Sequence, residues 1–176
     1  AMGDKPPLRA TGTGGRQVRV KEVYGNAYDH FAIEYEYDNG VRGYHFSRQQ
    51  DGCSNVNKVE IAGTLGNAAI GGAFGHEITG KSNWKFQGER NDMYQTEHDE
   101  LFASIRKGKP INDGVSMAHS SMLGILGRMA AYTGQTISWE DALNSSQSLG
   151  PAINEYTWDL KWPIHDVAKP GVNKLF

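Results

Sequence analysis

At 176 residues and 19.4 kDa the chain has the length of one ordinary domain with a real core. Its 18 basic and 20 acidic side chains give a net charge of −2 and a pI near 6.3, which offers no electrostatic case for a nucleic-acid or membrane partner. A lone Cys53 excludes an internal disulfide, no apolar run is long enough to span a bilayer, and a mean hydropathy of −0.58 with 22 glycines fits a loop-rich soluble protein.

Ala1-Met2-Gly3 reads as a cloning remnant, and residues 1–16, rich in Pro and Gly, read as a linker or irregular lead-in. Residues 17–176 are then expected to form one domain. Residues 17–24 alternate around Val18 and Val20 and predict a strand. Next come two strand-like runs, 29–37 and 41–49, joined at Asp38-Asn39-Gly40. Asn-Gly is favoured at the centre of a two-residue hairpin turn because both central positions need positive φ. That turn makes residue i face residue 79 − i. Ile33 then opposes Phe46, Tyr35 opposes Tyr44 and Phe31 opposes Arg48 on an apolar face. Glu34 opposes His45, Ala32 opposes Ser47 and His30 opposes Gln49 on a polar one.

Further strands are expected at 57–63, 68–70 and 83–87, with a flexible connection over 71–75. The period then changes. Tyr94, Leu101, Phe102 and Ile105 share one stripe of a helix over 92–107, with Gly108 as its stop and Pro110 just beyond. Met122, Leu123, Leu126, Met129 and Ala130 mark a second helix over 116–132, ended by Gly134. Ser138-Trp139-Glu140-Asp141 is an N-cap sequence for a short third helix to residue 144. Trp158 and Trp162 are expected to pin an irregular tail onto the body. Strands followed by helices predict an α+β domain, an open and mostly antiparallel sheet with helices packed on one face.

Nucleotide motifs are absent. Gly12-Thr13-Gly14-Gly15 is followed by Gln17 where a third glycine is needed, and no strand-to-helix context surrounds it. The candidate functional residues therefore come from the hairpin and its neighbours: His30, Glu34, His45, Arg48, Gln49 and, near the start of the first helix, His98. A Glu34–His45 pair can hold a base near neutral pH or orient a substrate hydroxyl. The competing reading is a solvated face, or one covered by another subunit. A metal site from His30, Glu34 and His45 and a nucleophilic Cys53 are weaker alternatives, since no further ligand or base is set by spacing. No metal and no catalytic residue is assigned.

Several stretches resemble one family in order and spacing: Tyr35 to Gly40, Ser47-Arg48-Gln49, Gly63 to Gly66, Tyr94 to His98, Ser104 to Asn112, and Gly127 to Gly134 with Ser138 to Leu143. From about residue 15 to about residue 145 the chain resembles the C-terminal domain of the Gfo/Idh/MocA oxidoreductases (glucose–fructose oxidoreductase, inositol dehydrogenase and relatives). The resemblance implies a parent enzyme in which an N-terminal Rossmann domain binds NAD or NADP. Its catalytic lysine, in a Glu-Lys-Pro motif, and an Asp-x-x-x-His pair lie ahead of the part seen here. Gly108-Lys109-Pro110 lacks the glutamate. This segment would then be the substrate-side and oligomerisation domain of an NAD(P)-dependent sugar or polyol oxidoreductase, inactive alone, with no cofactor of its own. Its open sheet face would meet a second copy, and the six residues above would be its substrate-facing candidates. The alternative is a stand-alone carbohydrate-binding or assembly module on the same fold. The compartment stays open: cytoplasmic, or periplasmic if the parent carries a twin-arginine leader.

Overall fold

The computed structural model describes all residues except 1, 4, 72–74, 90, 164 and 175–176. In chain order its elements are β1 (Arg9–Gly15), β2 (His30–Glu36), β3 (Arg42–Arg48), β4 (Lys58–Gly63), β5 (Gly66–Gly71), β6 (His76–Gly80), β7 (Trp84–Lys85), α1 (Met93–Arg106), α2 (Gly114–Thr133), β8 (Ile137–Ser138) and α3 (Trp139–Leu143). The class is α+β as expected. The strands form two four-stranded antiparallel sheets, ordered β3-β2-β1-β8 and β4-β5-β6-β7. The stretch read as one domain comprises parts of two compact units, residues 1–51 with 113–176, and residues 52–112.

In the first unit α2 packs across β1 and β2. Small residues on its inner face permit the approach: Gly127, Ala130 and Ala131 are buried beside Leu126 and Met129, against Ile33 and Tyr35. A Cβ at Gly127 would lie 2.3 Å from the Tyr35 hydroxyl, which donates to the Leu123 carbonyl at 3.0 Å. Tyr132 packs tilted against Tyr28 with ring centroids 4.1 Å apart, and its hydroxyl accepts from the Tyr28 backbone N–H at 2.9 Å. Burial of this unit pushes the Tyr35 hydroxyl up to about 12, with Tyr37 adding to the effect. Gly134, at φ +70°, ends α2, and Ser138 caps α3 by accepting from the Asp141 N–H at 3.0 Å.

Two expectations about this unit are corrected. The glycine-rich segment read as a lead-in supplies β1, while residues 17–24 form a loop with one 3-10 turn at Glu22–Tyr24. The reason is steric: a Cβ at Gly12 would fall 2.3 Å from Ile33 Cδ1, and one at Gly14 would fall 2.7 Å from the His30 carbonyl oxygen. Glycine is therefore what lets this strand lie against β2.

The hairpin register is the second correction. Asp38–Gly40 form a three-residue 3-10 turn with Gly40 at positive φ (+73°), closed by the Tyr37 N–H on the Val41 carbonyl at 2.8 Å. That is the type I turn with a left-handed third residue rather than the two-residue turn. Ile33 therefore faces His45, Tyr35 faces Gly43, Glu34 faces Tyr44 and His30 faces Arg48. The one-residue shift moves every β3 side chain to the other side of the sheet.

In the second unit, β4 to β7 align Ile61, Ala68, Ile78 and Trp84 in one cross-strand row and Val59, Ile70 and His76 in the next. β6 fills a stretch where sequence periodicity predicts no strand. The connection expected over 71–75 falls partly outside the described residues. α1 matches its expected span, with Asp92 accepting from the N–H groups of Tyr94 and Gln95 and Gly108 following at φ +68°. It buries none of its residues, so its apolar stripe identified the helix without identifying a core. Among the described residues no helix is long and apolar enough to cross a membrane.

Candidate functional site

The polar centre of the first unit is Asp29, at the entry to β2 and only 2 % exposed. One of its carboxylate oxygens accepts from three successive backbone N–H groups, those of Gln17, Val18 and Arg19, at 2.8, 2.7 and 3.0 Å. The other takes His30 Nδ1 at 2.8 Å and the Gln50 amide at 3.4 Å. Burial pushes the Asp29 carboxyl up, but these donors overcome it and hold the group well below the usual carboxylate range. This explains why residues 17–19 make no strand: their N–H groups are spent on one buried anion.

Because Asp29 is ionised, the proton between it and His30 belongs on Nδ1, and in the neutral imidazole Nε2 is then the acceptor. The His30 side chain is 39 % exposed and its ring lies over Gly15, where a Cβ would approach Cε1 and Nε2 to 3.1 Å. An imidazole oriented by a buried carboxylate, with an open Nε2, can accept a proton from a hydroxyl. Beside it, Arg48 faces His30 across the strands. The Gln49 backbone N–H donates to the Asp29 carbonyl at 2.8 Å, and its side-chain oxygen accepts from Arg19 at 3.0 Å. Arg19 in turn lies over the Tyr24 ring at 5.4 Å. Arg16 braces the same loop from below, donating to the carbonyls of Arg19, Lys21 and Gly25.

The sheet face opposite α2 continues from His30 as a ladder of charges and rings. Arg42 bridges Glu34 at 2.6 Å and Glu36 at 2.9 Å, and Arg9 holds Glu36 at 2.7 Å. Hydrogen bonding from Arg9, opposed by desolvation and aided by Arg42, keeps the Glu36 carboxyl below its ordinary range. Tyr44 and Phe46 follow on β3, 63 % and 77 % exposed.

Of the residues singled out from sequence, the structure brings together His30, Arg48 and Gln49. Glu34 lies on the same sheet face but is engaged by Arg42. The Glu34–His45 pair does not form, because the shifted register turns His45 to the α2 side, where its Nε2 meets the Ser47 hydroxyl at 3.0 Å. For the same reason His30, Glu34 and His45 do not converge on a common point. His98 belongs to α1 in the second unit, with Nδ1 on the Tyr94 carbonyl at 2.7 Å. Cys53 is exposed. Asp29 and Gln50 were missed; the available signal was a carboxylate directly ahead of a strand-opening histidine. Gly12-Thr13-Gly14-Gly15 forms no phosphate-binding loop. The glycines at 12, 14 and 15 are extended β1 backbone paired to β2, not a loop presenting N–H groups to a phosphate.

No family model and no curated protein matches the chain. Solved structures do match in fold. An aldose-aldose oxidoreductase from Caulobacter crescentus, crystallised with glycerol, superposes with a TM-score of 0.58 at 14% identity, over 76% of this chain and 42% of its own. An oxidoreductase from Thermotoga maritima gives 0.56 at 16%, over 78% and 39%. One from Agrobacterium radiobacter, in complex with NAD+, L-tartaric acid and magnesium, gives 0.50 at 14%, over 77% and 44%. These neighbours are oxidoreductases of the Gfo/Idh/MocA type, so the resemblance read in the sequence holds at the level of fold. The chain spans about two-fifths of their length.

Proposed function

We propose that this chain is the substrate-side and assembly domain of an NAD(P)-dependent oxidoreductase acting on a sugar or polyol. NAD or NADP would be held by a separate Rossmann domain of the parent, and residues 17–176 would act as one functional domain beside it. The observation that carries this reading is the extent of the fold match: three-quarters of this chain follows two-fifths of each oxidoreductase. The remainder of those chains is length enough for a cofactor domain. In this reading His30, fixed by Asp29, meets a substrate hydroxyl through Nε2, with Arg48 and Gln49 beside it. Glu34, His45 and His98 become secondary candidates. The ladder from Arg9 to Phe46 serves as the face that meets a second copy.

The test is a titration of NADH and NADPH into this chain, followed by fluorescence, with a parallel assay for oxidation of sugars and polyols. No saturable nicotinamide binding and no turnover are expected. Tight binding of either cofactor would overturn the division of labour. In the native reading frame, a glycine-fingerprint domain and a Glu-Lys-Pro motif should be encoded upstream. An independent start immediately ahead of this segment, together with sugar binding, would favour a stand-alone carbohydrate-binding module instead.

A further inference from the structure

The first unit contains a second polar site, away from the Asp29 centre. The last turns of α2, residues 146–149 and the tail at 165–174 enclose a cleft of about 370 Å³. That volume sits at the small end of the roughly 300–1,000 Å³ typical of small-molecule sites. Arg128 is half-buried in its wall, its guanidinium 4.1 Å from the centroid of Tyr132, one helical turn on. This ring contact is its one interaction among the described residues, where no carboxylate or carbonyl takes its N–H groups.

That arrangement matters because stacking uses only the face of a guanidinium. The five N–H donors lie in its plane and stay available, while the aromatic ring fixes where the plane points. A half-buried arginine oriented in this way, with no protein anion to satisfy it, is a ready clamp for an anionic head group. Lys174 adds a second cation to the lining, and Asp166 is its one carboxylate among the described residues. The balance is positive when His165 is neutral. Ser146 and Ser148 supply hydroxyls along the same wall, and Ser148 already donates to the Gly150 carbonyl at 3.0 Å, which leaves its oxygen to accept. Cations at one point and hydroxyls along the wall suit a ligand with a negative head and a hydroxylated body.

We propose that this cleft is a binding site for a small anionic sugar, a sugar acid or a sugar phosphate, whose anionic group is clamped by Arg128. The inference needs neither a cofactor nor turnover, so it stands or falls apart from the oxidoreductase reading.

The experiment is isothermal titration of this chain with D-gluconate, glucose 6-phosphate and, as the uncharged control, D-glucitol. At least one anion should bind with a Kd of about 1 mM or tighter, and glucitol at least about tenfold more weakly. Gluconate alone would identify a carboxylate head, and glucose 6-phosphate alone a phosphate head. Arg128→Gln should weaken the bound anion by about ten- to a hundredfold, since a charged hydrogen-bonding partner is lost. Asp166→Asn, at an exposed position, should tighten it, an effect that a merely structural role would not produce. If Arg128→Gln fails to fold, Lys174→Gln should weaken binding in its place. Absence of saturable binding by both anions, equal affinity for glucitol, or indifference to both the Arg128 and Asp166 changes would each overturn the proposal.

Discussion

Replacing Asp29 with asparagine removes a charge while nearly preserving shape, so it isolates what the buried carboxylate contributes. Three backbone N–H groups converge on one of its oxygens at 2.7 to 3.0 Å. A hydrogen bond to a charged acceptor contributes about 1.5–3 kcal/mol, against about 0.5–1.5 for a neutral one. Three such bonds therefore lose about 1 kcal/mol each, or about 3 kcal/mol together. Against the roughly 5–15 kcal/mol of an ordinary domain, Asp29→Asn should fold but be visibly weakened. Asp29→Ala should be worse, because it also leaves three N–H groups without an acceptor.

The pH dependence carries a definite sign. The folded-state pKa of Asp29 is depressed, so below the unfolded value of about 3.9 the unfolded chain takes up a proton that the folded chain refuses. Its contribution is complete above that value and fades as the pH falls toward the folded pKa. Urea unfolding measured between about pH 3 and pH 7 should show wild type losing stability on acidification. Asp29→Asn should be less stable at neutral pH, and its gap to wild type should narrow by about 1 kcal/mol on reaching pH 3, since other carboxylates such as Glu36 are common to both. Parallel curves for the two proteins would refute the assignment of this carboxylate as the anchor of the loop.

Three further outcomes follow from packing and exposure. Gly127→Ala gains up to about 1 kcal/mol of helix propensity but drives a Cβ to 2.3 Å from the Tyr35 hydroxyl, so overpacking and the lost bond to Leu123 should win by about 2 kcal/mol. Adding Tyr35→Phe should recover part of that loss in a urea double-mutant cycle. His119 packs edge-on to Trp139 with a buried Nδ1 that has no hydrogen-bond partner among the described residues, so His119→Phe should raise stability by about 1 kcal/mol; a lower urea midpoint would refute this. Phe46→Asp should change stability by less than about 0.5 kcal/mol because the ring is 77 % exposed, and light scattering should show a smaller assembled fraction if this face meets a second copy.

How much of this was legible in the letters depends on whether side chains or backbone carried the information. Capping and periodicity are side-chain signals, and they located α1, α2 and α3, whose ends at Asp92, Gly134 and Ser138 follow from local hydrogen bonding. β1 was hidden because its inward positions are Ala10, Gly12 and Gly14. A strand whose inward residues carry a methyl group or no side chain shows no apolar alternation, although a glycine at 12 is what Ile33 requires. Asp29 was hidden differently. Its role depends on N–H groups ten to twelve residues back, and no spacing rule reports where a loop will direct its donors.

The hairpin shows how a small backbone ambiguity becomes a functional one. Asn39-Gly40 is compatible with a two-residue turn and equally with the last two positions of a three-residue turn, and the two differ by a single residue of register. The patterning of β2 does not decide between them, because Ile33 and Tyr35 face α2 in either case. Only β3 is affected, and it is an edge strand whose residues are largely exposed, so neither face imposes a strong burial penalty. The consequence falls on chemistry rather than stability. His45 leaves Glu34, and Tyr44 and Phe46 join the Arg9–Glu36–Arg42–Glu34 ladder as an aromatic and charged surface opposite α2. His30 keeps its place because Asp29, not its cross-strand neighbour, fixes the ring. A functional group anchored by a buried carboxylate survives an error in register that one anchored by strand pairing does not.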